Sequence, residues 1–360
     1  MTTVADQIFD ESKVEEFAGM LIDTYSRSLL TFMIDIGHRT QLFDATAQGP
    51  ATSVELAERA GLQERYVREW LGALVTGGVF TYDPITHTYT LPAEHAACLC
   101  GAGSSNLAVV SLISALLGSH LDEVVTAFRE GGGVSYEQFR PRFTDVMDSM
   151  SRGLFDGQLI NGVLPSTGDL PRRLEKGIRV ADIGCGTGHA VNLLATAYPA
   201  SDFVGYDFSP DAIDRARAEA AALGLTNARF EVCDVAALPA EPLDAVFAFD
   251  AIHDQADPAG VLRGVYDVLV PDGVFVMFDI KASSNLEDNI GNPAAPLLYS
   301  VSVLHCMTVS LARDGAGLGT VWGEQLARKM LGEAGFEVAS VSDVPDDPLD
   351  CVYLCRKVTS

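Results

Sequence analysis

The feature that most constrains this chain is the run at residues 180–188, Val-Ala-Asp-Ile-Gly-Cys-Gly-Thr-Gly. A short apolar stretch runs straight into three glycines at every second position, and His189 then opens a helical pattern. Glycine suits such a turn because the backbone passes through conformations other residues avoid and leaves room for a ligand to approach the main chain. The start of the following helix favours a negatively charged group. The flanking sequence alternates in the same way. Strands are predicted at 178–183, 203–206, 229–233, 245–249 and 274–279, with helices at 189–198, 211–223 and 258–269 between most of them. After a long insertion come a helix at 324–334 and strands at 336–341 and 351–356. This alternation predicts an α/β fold, a parallel sheet with helices on both faces.

The loop has the spacing G-x-G-x-G, and His189 stands where a dinucleotide fingerprint would place its third glycine, which disfavours NAD. Asp182 lies inside the strand end just before the loop. Asp207 closes the next strand, Val204-Gly205-Tyr206-Asp207, placed for a pair of ribose hydroxyls and hostile to a 2′-phosphate. Together these positions resemble the class I S-adenosylmethionine-dependent methyltransferases over roughly residues 176–357, with a Rossmann-like sheet. The resemblance implies that S-adenosyl-L-methionine is the cofactor. It implies that Gly184, Cys185, Gly186 and Gly188, with Asp182 beside them, hold its methionine part. Asp207 would hold the ribose, Phe208 would lie against the adenine, and Asp234 with Val235 would sit by the adenine amino group. Asp250, at the end of the fourth strand, would face the methionine end and the substrate.

Methyl transfer from a sulfonium mainly requires alignment of the acceptor. A hydroxyl acceptor must also lose its proton, which a histidine can take at neutral pH. Residues 250–258 read Asp-Ala-Ile-His-Asp-Gln-Ala-Asp-Pro. The pattern His253-Asp254-x-x-Asp257 resembles the catalytic segment of plant-type small-molecule O-methyltransferases, departing from it at Gln255, where those enzymes carry an aromatic residue. This implies His253 as general base with Asp254 beside it; the alternative is a histidine that packs near the cofactor without moving protons. A second catalytic candidate is His305 in the insertion, where Leu297, Leu298, Leu304 and Met307 could wall an apolar lid. Tyr136, Phe139, Phe143, Met147 and Met150 form a stripe at helical spacing that reads as core able to supply one wall.

The N-terminal third has a different layout. Residues 11–45 read as helical, with Phe17, Leu21, Tyr25 and Leu29 at helical spacing. Thr52 and Glu55 form a capping box for a short helix ending near Gly61. A helix over 64–76 and strands at 79–82 and 88–91 complete a winged-helix order. Residues 104–175 read as helical and then loop-rich, broken at Gly131-Gly132-Gly133. The expected domains are therefore 1–100, helical and winged-helix; 101–175, a bridging region; and 176–360, the cofactor domain.

A winged helix suggests DNA, but charge opposes it. Residues 53–91 carry three basic residues (Arg59, Arg65 and Arg68) against five acidic ones (Glu55, Glu58, Glu64, Glu69 and Asp83). The whole chain has 49 acidic and 24 basic residues, for a net charge of −25, which repels phosphate backbones and anionic lipid. The plant-type resemblance implies a dimerisation domain and a homodimer instead. No apolar stretch is long enough for a membrane span. The opening Met1-Thr2-Thr3-Val4-Ala5-Asp6 lacks a leader pattern, so a cytoplasmic protein with no membrane partner is expected. Seven scattered cysteines predict free thiols, and no metal site is expected. The leading function is methyl transfer to a small molecule, at a hydroxyl. The alternatives are N- or C-methylation on the same scaffold, or a non-catalytic, cofactor-sensing transcription regulator.

Overall fold

The computed structural model describes residues 9–101, 105–345 and 347–358, and the run Met1 to Asp6 lies outside them. The chain divides into two compact units, 1–115 and 116–360.

In the first unit a long helix α1 (Glu11–Arg39) is followed by α2 (Leu42–Thr46), α3 (Ser53–Ala60) and α4 (Glu64–Thr76), then strands β1 (Thr81–Asp83) and β2 (Thr88–Thr90) and helix α5 (Ala93–Leu99). The capping box forms as expected: Thr52 N donates to Glu55 at 2.8 Å, and Glu55 N donates to the Thr52 hydroxyl at 3.3 Å. A box of this kind contributes about 1 kcal/mol. Phe43, Leu56, Leu71, Leu74 and Phe80 form the core, and the Trp70 indole donates to the Met33 carbonyl at 2.7 Å. β1 and β2 pair antiparallel as the wing, Tyr82 opposite Tyr89. On α1, by contrast, Phe17, Met20, Tyr25 and Leu29 are each more than half exposed.

Helix α6 (Ser111–Gly118) crosses into the second unit, where α7 (Leu121–Glu130) precedes the expected glycine break. The stretch beyond the break is helical rather than loop-rich. It contains α8 (Tyr136–Phe139), α9 (Arg142–Leu154), a π-helical segment (Phe155–Val163) and α10 (Leu170–Lys176). Phe139, Phe143 and Val146 recur at helical spacing there and are buried, so burial of one face outweighs the weak local signals.

The sheet is built from β3 (Arg179–Ile183), β4 (Asp202–Asp207), β5 (Ala228–Val232), β6 (Leu243–Phe249), β7 (Leu269–Ile280), β8 (Phe336–Val344) and β9 (Asp347–Lys357), in the order β5-β4-β3-β6-β7-β9-β8. Helices α11 (His189–Ala197), α12 (Pro210–Ala222) and α13 (Pro258–Val268) connect the parallel strands. The insertion forms α14 (Leu286–Asn289), α15 (Ala295–Val301) and α16 (Met307–Leu311), and α17 (Gly323–Glu333) leads into β8. One strand departs from the expected parallel sheet: β9 runs antiparallel to both β7 and β8. Only two positions separate Val344 from Asp347, too few for the crossover that parallel pairing requires.

Strand residues alternate between the faces. Phe203, Phe247 and Phe278 pack with α11 and α12, whereas Tyr206, Ala248 and Met277 pack with α13 and α17. Chain order reverses between β3 and β6, which opens a crevice at the carboxyl ends of those strands, the usual ligand position in such sheets. Among the described residues no single helix is long and apolar enough to cross a membrane.

Candidate active site

The glycine loop leaves the end of β3 and is tied to β4. Gly184 N and Cys185 N both donate to the Tyr206 carbonyl, at 2.8 and 3.0 Å. Gly186 N donates to one oxygen of Asp207 at 2.9 Å, and Ser209 N donates to the other at 2.8 Å. Gly184, Gly186 and Gly188 have φ of 70°, 53° and 73°, the left-handed region. The last two meet different needs. A Cβ at Gly188 would lie 2.4 Å from Phe230, whereas at Gly186 it would enter open space. Packing therefore requires glycine at 188, while Gly186 leaves a bare face of backbone.

Asp182 is buried, and its Oδ1 has no hydrogen-bond partner among the described residues. Burial, with Asp207 nearby, pushes its carboxyl well above the ordinary value. Burial also raises Asp207, and the N–H groups of Ser209 and Gly186 work against that rise. Phe208, half-buried, meets the Tyr136 ring edge-on at 5.0 Å and has the Arg140 and Arg313 guanidinium groups each 5.7 Å from its centroid. Asp234 is exposed and caps a turn by accepting from Ala236 N at 3.0 Å, beside the buried Val235.

At the ends of β6 and β7 lies a second group. Asp250 has φ of 50°, and its Oδ1 is buried and without a partner among the described residues; burial and the neighbouring Asp279 push it up to about 8. His253 is buried, with Nδ1 2.8 Å from Asp279 Oδ1. That oxygen also accepts from Ile280 N at 2.8 Å and from the Trp322 indole at 3.1 Å, while Oδ2 has no partner among the described residues. A carboxylate oxygen can only accept, so Nδ1 carries the hydrogen facing Asp279 and Nε2 is the nitrogen available for proton transfer, with the Cys306 thiol in hydrogen-bond reach of the ring. Burial opposes the imidazolium, yet the Asp279 carboxylate, with Cys306 beside it, outweighs burial and holds His253 well above its ordinary value. Asp254 is half-buried and pushed up to about 6 by burial, with His253 holding it down. Asp257 does not join them. It caps α13, accepting from Gly260 N at 2.8 Å. Asp250, His253 and Asp279 each present an atom within 4.8 Å of the others, a spacing that suits a cation, but Nδ1 and Oδ1 are already committed to one another.

His305 is buried in an aromatic cluster. It stacks on Phe143 at 3.8 Å and meets Phe139 and Tyr136 edge-on at 4.7 and 5.6 Å. Its Nε2 has no partner among the described residues, and burial, with His253 and His120 nearby, lowers it to about 3. The stripe at residues 136–143 thus walls the second histidine. In the insertion, Leu298 is buried and Leu297 exposed.

The sequence did not point to Asp279 as the partner of His253, nor to the bond from Trp322 to it. Asp279 carried a usable signal, since it closes a strand as Asp207 and Asp250 do. Trp322 stood out only as part of the insertion, and its contact with Asp279 depends on how that insertion folds back.

Residues 174–335 match the family described as "Methyltransferase domain", and residues 28–101 match the "Rv2258c-like winged HTH domain". The chain belongs to the S-adenosylmethionine-dependent methyltransferases with an N-terminal winged-helix domain. Trans-aconitate 2-methyltransferase of Methylobacterium nodulans is 31% identical over 125 residues, which is 34% of this methyltransferase chain and 44% of the relative. The chain therefore spans less than half the length of such curated relatives. The mitomycin 7-O-methyltransferase MmcR shares the fold with a TM-score of 0.71 at 18% identity, covering 97% of this chain and 100% of that one. Human N-acetylserotonin methyltransferase, solved with S-adenosylmethionine, gives 0.67 at 17% identity with 100% of each chain covered.

Proposed function

We propose that this methyltransferase moves a methyl group from S-adenosylmethionine to an oxygen of a small molecule, with His253 as general base. The observation that carries this reading is the buried His253–Asp279 pair at 2.8 Å, at the same strand ends as the glycine loop. The residues suit the cofactor. Gly186 offers bare backbone and Asp207 a carboxylate for the ribose hydroxyls, with Phe208 and Val235 as apolar surface for the adenine and Asp234 beside them. Asp182 and Asp250 each hold a buried oxygen without a partner among the described residues, suited to a cofactor that carries an ammonium and a sulfonium. When bound, that cofactor supplies an activated methyl group.

The remaining work falls to the chain. Asp279 fixes the His253 ring and its tautomer, so that Nε2 can take the acceptor's proton as the O–CH3 bond forms and the S–CH3 bond breaks. His305, lowered to about 3, is too weak a base to compete and instead positions the acceptor through Nε2 against the aromatic wall. Asp254 flanks the base and adds negative charge near the cationic cofactor. In the first unit, the exposed apolar residues of α1 support a homodimer, and the acidic charge supports a role for the winged helix other than DNA binding.

The test is label transfer from methyl-labelled S-adenosylmethionine to a panel of phenols, alcohols and amines. The expected result is labelled ether or ester products that are lost in His253→Ala while S-adenosylhomocysteine binding persists. Labelling of amines alone, or full turnover in His253→Ala, would overturn the base assignment.

A further inference from the structure

The cofactor loop is gripped from two sides, and only one grip comes from the strand-end acids. On the sheet side Asp207 takes the Gly186 N–H. On the other side the Thr187 hydroxyl donates to Asp148 Oδ1 at 2.5 Å, a bond reaching back 39 residues to α9. Thr187 is buried. Asp148 is in turn flanked by Arg152 at 3.0 Å and Arg215 at 3.4 Å. Arg152 also pairs with Glu219 at 2.7 Å and contacts His189 Nδ1 at 2.7 Å, and His189 is the first residue of α11 after the loop. A buried hydroxyl bonded to an ionised carboxylate, itself held by two guanidinium groups, belongs to the strong class of hydrogen bonds.

We propose that Asp148 is a positioning residue for the cofactor: through the Thr187 hydroxyl it holds the 186–188 backbone in its binding shape, which makes α9 the outer jaw of the loop. The proposal rests on the S-adenosylmethionine reading above. A loop with three glycines in five residues has much conformational freedom to lose when a ligand orders it. The Asp148–Thr187 bond orders the loop beforehand, so less affinity is spent on ordering. Asp148 acts on the loop through Thr187, and its effect should fall on affinity.

The experiment is calorimetry with S-adenosylhomocysteine on the full chain, using D148A, D148N, T187V, T187S and the double variant D148A/T187V, with thermal melts to establish folding. D148A and T187V should each weaken binding roughly tenfold, the scale of one lost charge-assisted hydrogen bond. The double variant should be no weaker than either single one, because both remove the same bond. T187S keeps the hydroxyl and should recover the binding lost in T187V. D148N keeps the shape but loses the charge and should fall between wild type and D148A; it also serves if D148A does not fold. Undiminished binding in folded D148A or D148N, losses that multiply in the double variant, or no recovery in T187S would each overturn the proposal. Failure of the wild type itself to bind would overturn the cofactor reading and this inference with it, whereas wild-type binding with unaffected Asp148 variants overturns this inference alone.

Discussion

Gly186 and Gly188 are two residues apart, share the same backbone region, and should fail in opposite ways when changed to alanine. In Gly186→Ala the only folding cost is a side chain at φ of 53°, with nothing within 4 Å of the new Cβ. Left-handed backbone costs a non-glycine residue about 1–2 kcal/mol. Gly188→Ala adds a steric cost to the same strain, because its Cβ would sit 2.4 Å from Phe230 and 2.6 Å from Ala216. Overpacking adds about 1–3 kcal/mol, for a total of about 2–5 kcal/mol. Urea unfolding should therefore rank Gly188→Ala clearly below Gly186→Ala in stability. Calorimetry with S-adenosylhomocysteine should show the converse for binding per unit of stability lost. Gly186→Ala stays folded yet loses at least about tenfold in affinity, because its methyl covers the bare backbone face. If Gly186→Ala bound as wild type, that face would not be the cofactor's. If Gly188→Ala were the milder of the two in unfolding, the packing argument would fail.

The pH dependence of turnover offers a second test. His253 is held well above its ordinary value by Asp279 against the opposing effect of burial, so methyl transfer should rise with pH along an acid limb centred above 6.5, and Asp279→Asn should move that limb down and slow the rate; a limb that Asp279→Asn leaves in place would contradict the pairing. His305, at about 3 in the folded chain, stays neutral where the unfolded chain takes up a proton. Its contribution to stability is thus complete above about 6.5 and falls as pH drops toward 3, by at most about 1.4 kcal/mol per unit. Urea unfolding at pH 7 and pH 5 should show wild type losing more stability than His305→Gln, and equal losses would refute that reading. Finally, Leu29→Asp on the exposed face of α1 should convert a dimer to a monomer in sedimentation analysis; a wild-type chain that is already monomeric would contradict the dimer proposal.

Much of the cofactor unit was legible because its signals are local. Each predicted strand lies within or close to an observed one, since period-two apolar runs and glycine or proline punctuation are properties of neighbouring residues. The strand-end acids Asp182, Asp207 and Asp250 follow from the same pattern. What escaped depends on distant contacts. Asp279 meets His253 only because β6 and β7 are neighbours, and Trp322 reaches Asp279 only because the insertion folds back. Asp148 touches Thr187 across 39 residues. The helical spacing of Tyr136, Phe139, Phe143, Met147 and Met150 was legible, whereas the turns around Pro141 made the surrounding stretch read as loop-rich although burial of Phe139, Phe143 and Val146 holds it helical. Asp257 looked like part of a catalytic pattern, yet its position before Pro258 at the start of α13 makes it a cap.

The central claim is tested most directly by a crystal structure of the chain with S-adenosylhomocysteine. The expected result is the ribose hydroxyls on the Asp207 carboxylate, the amino-acid end over the 184–188 backbone, and the sulfur turned toward His253 Nε2. A nucleoside bound elsewhere, or an Asp207 side chain turned out of the crevice, would contradict it.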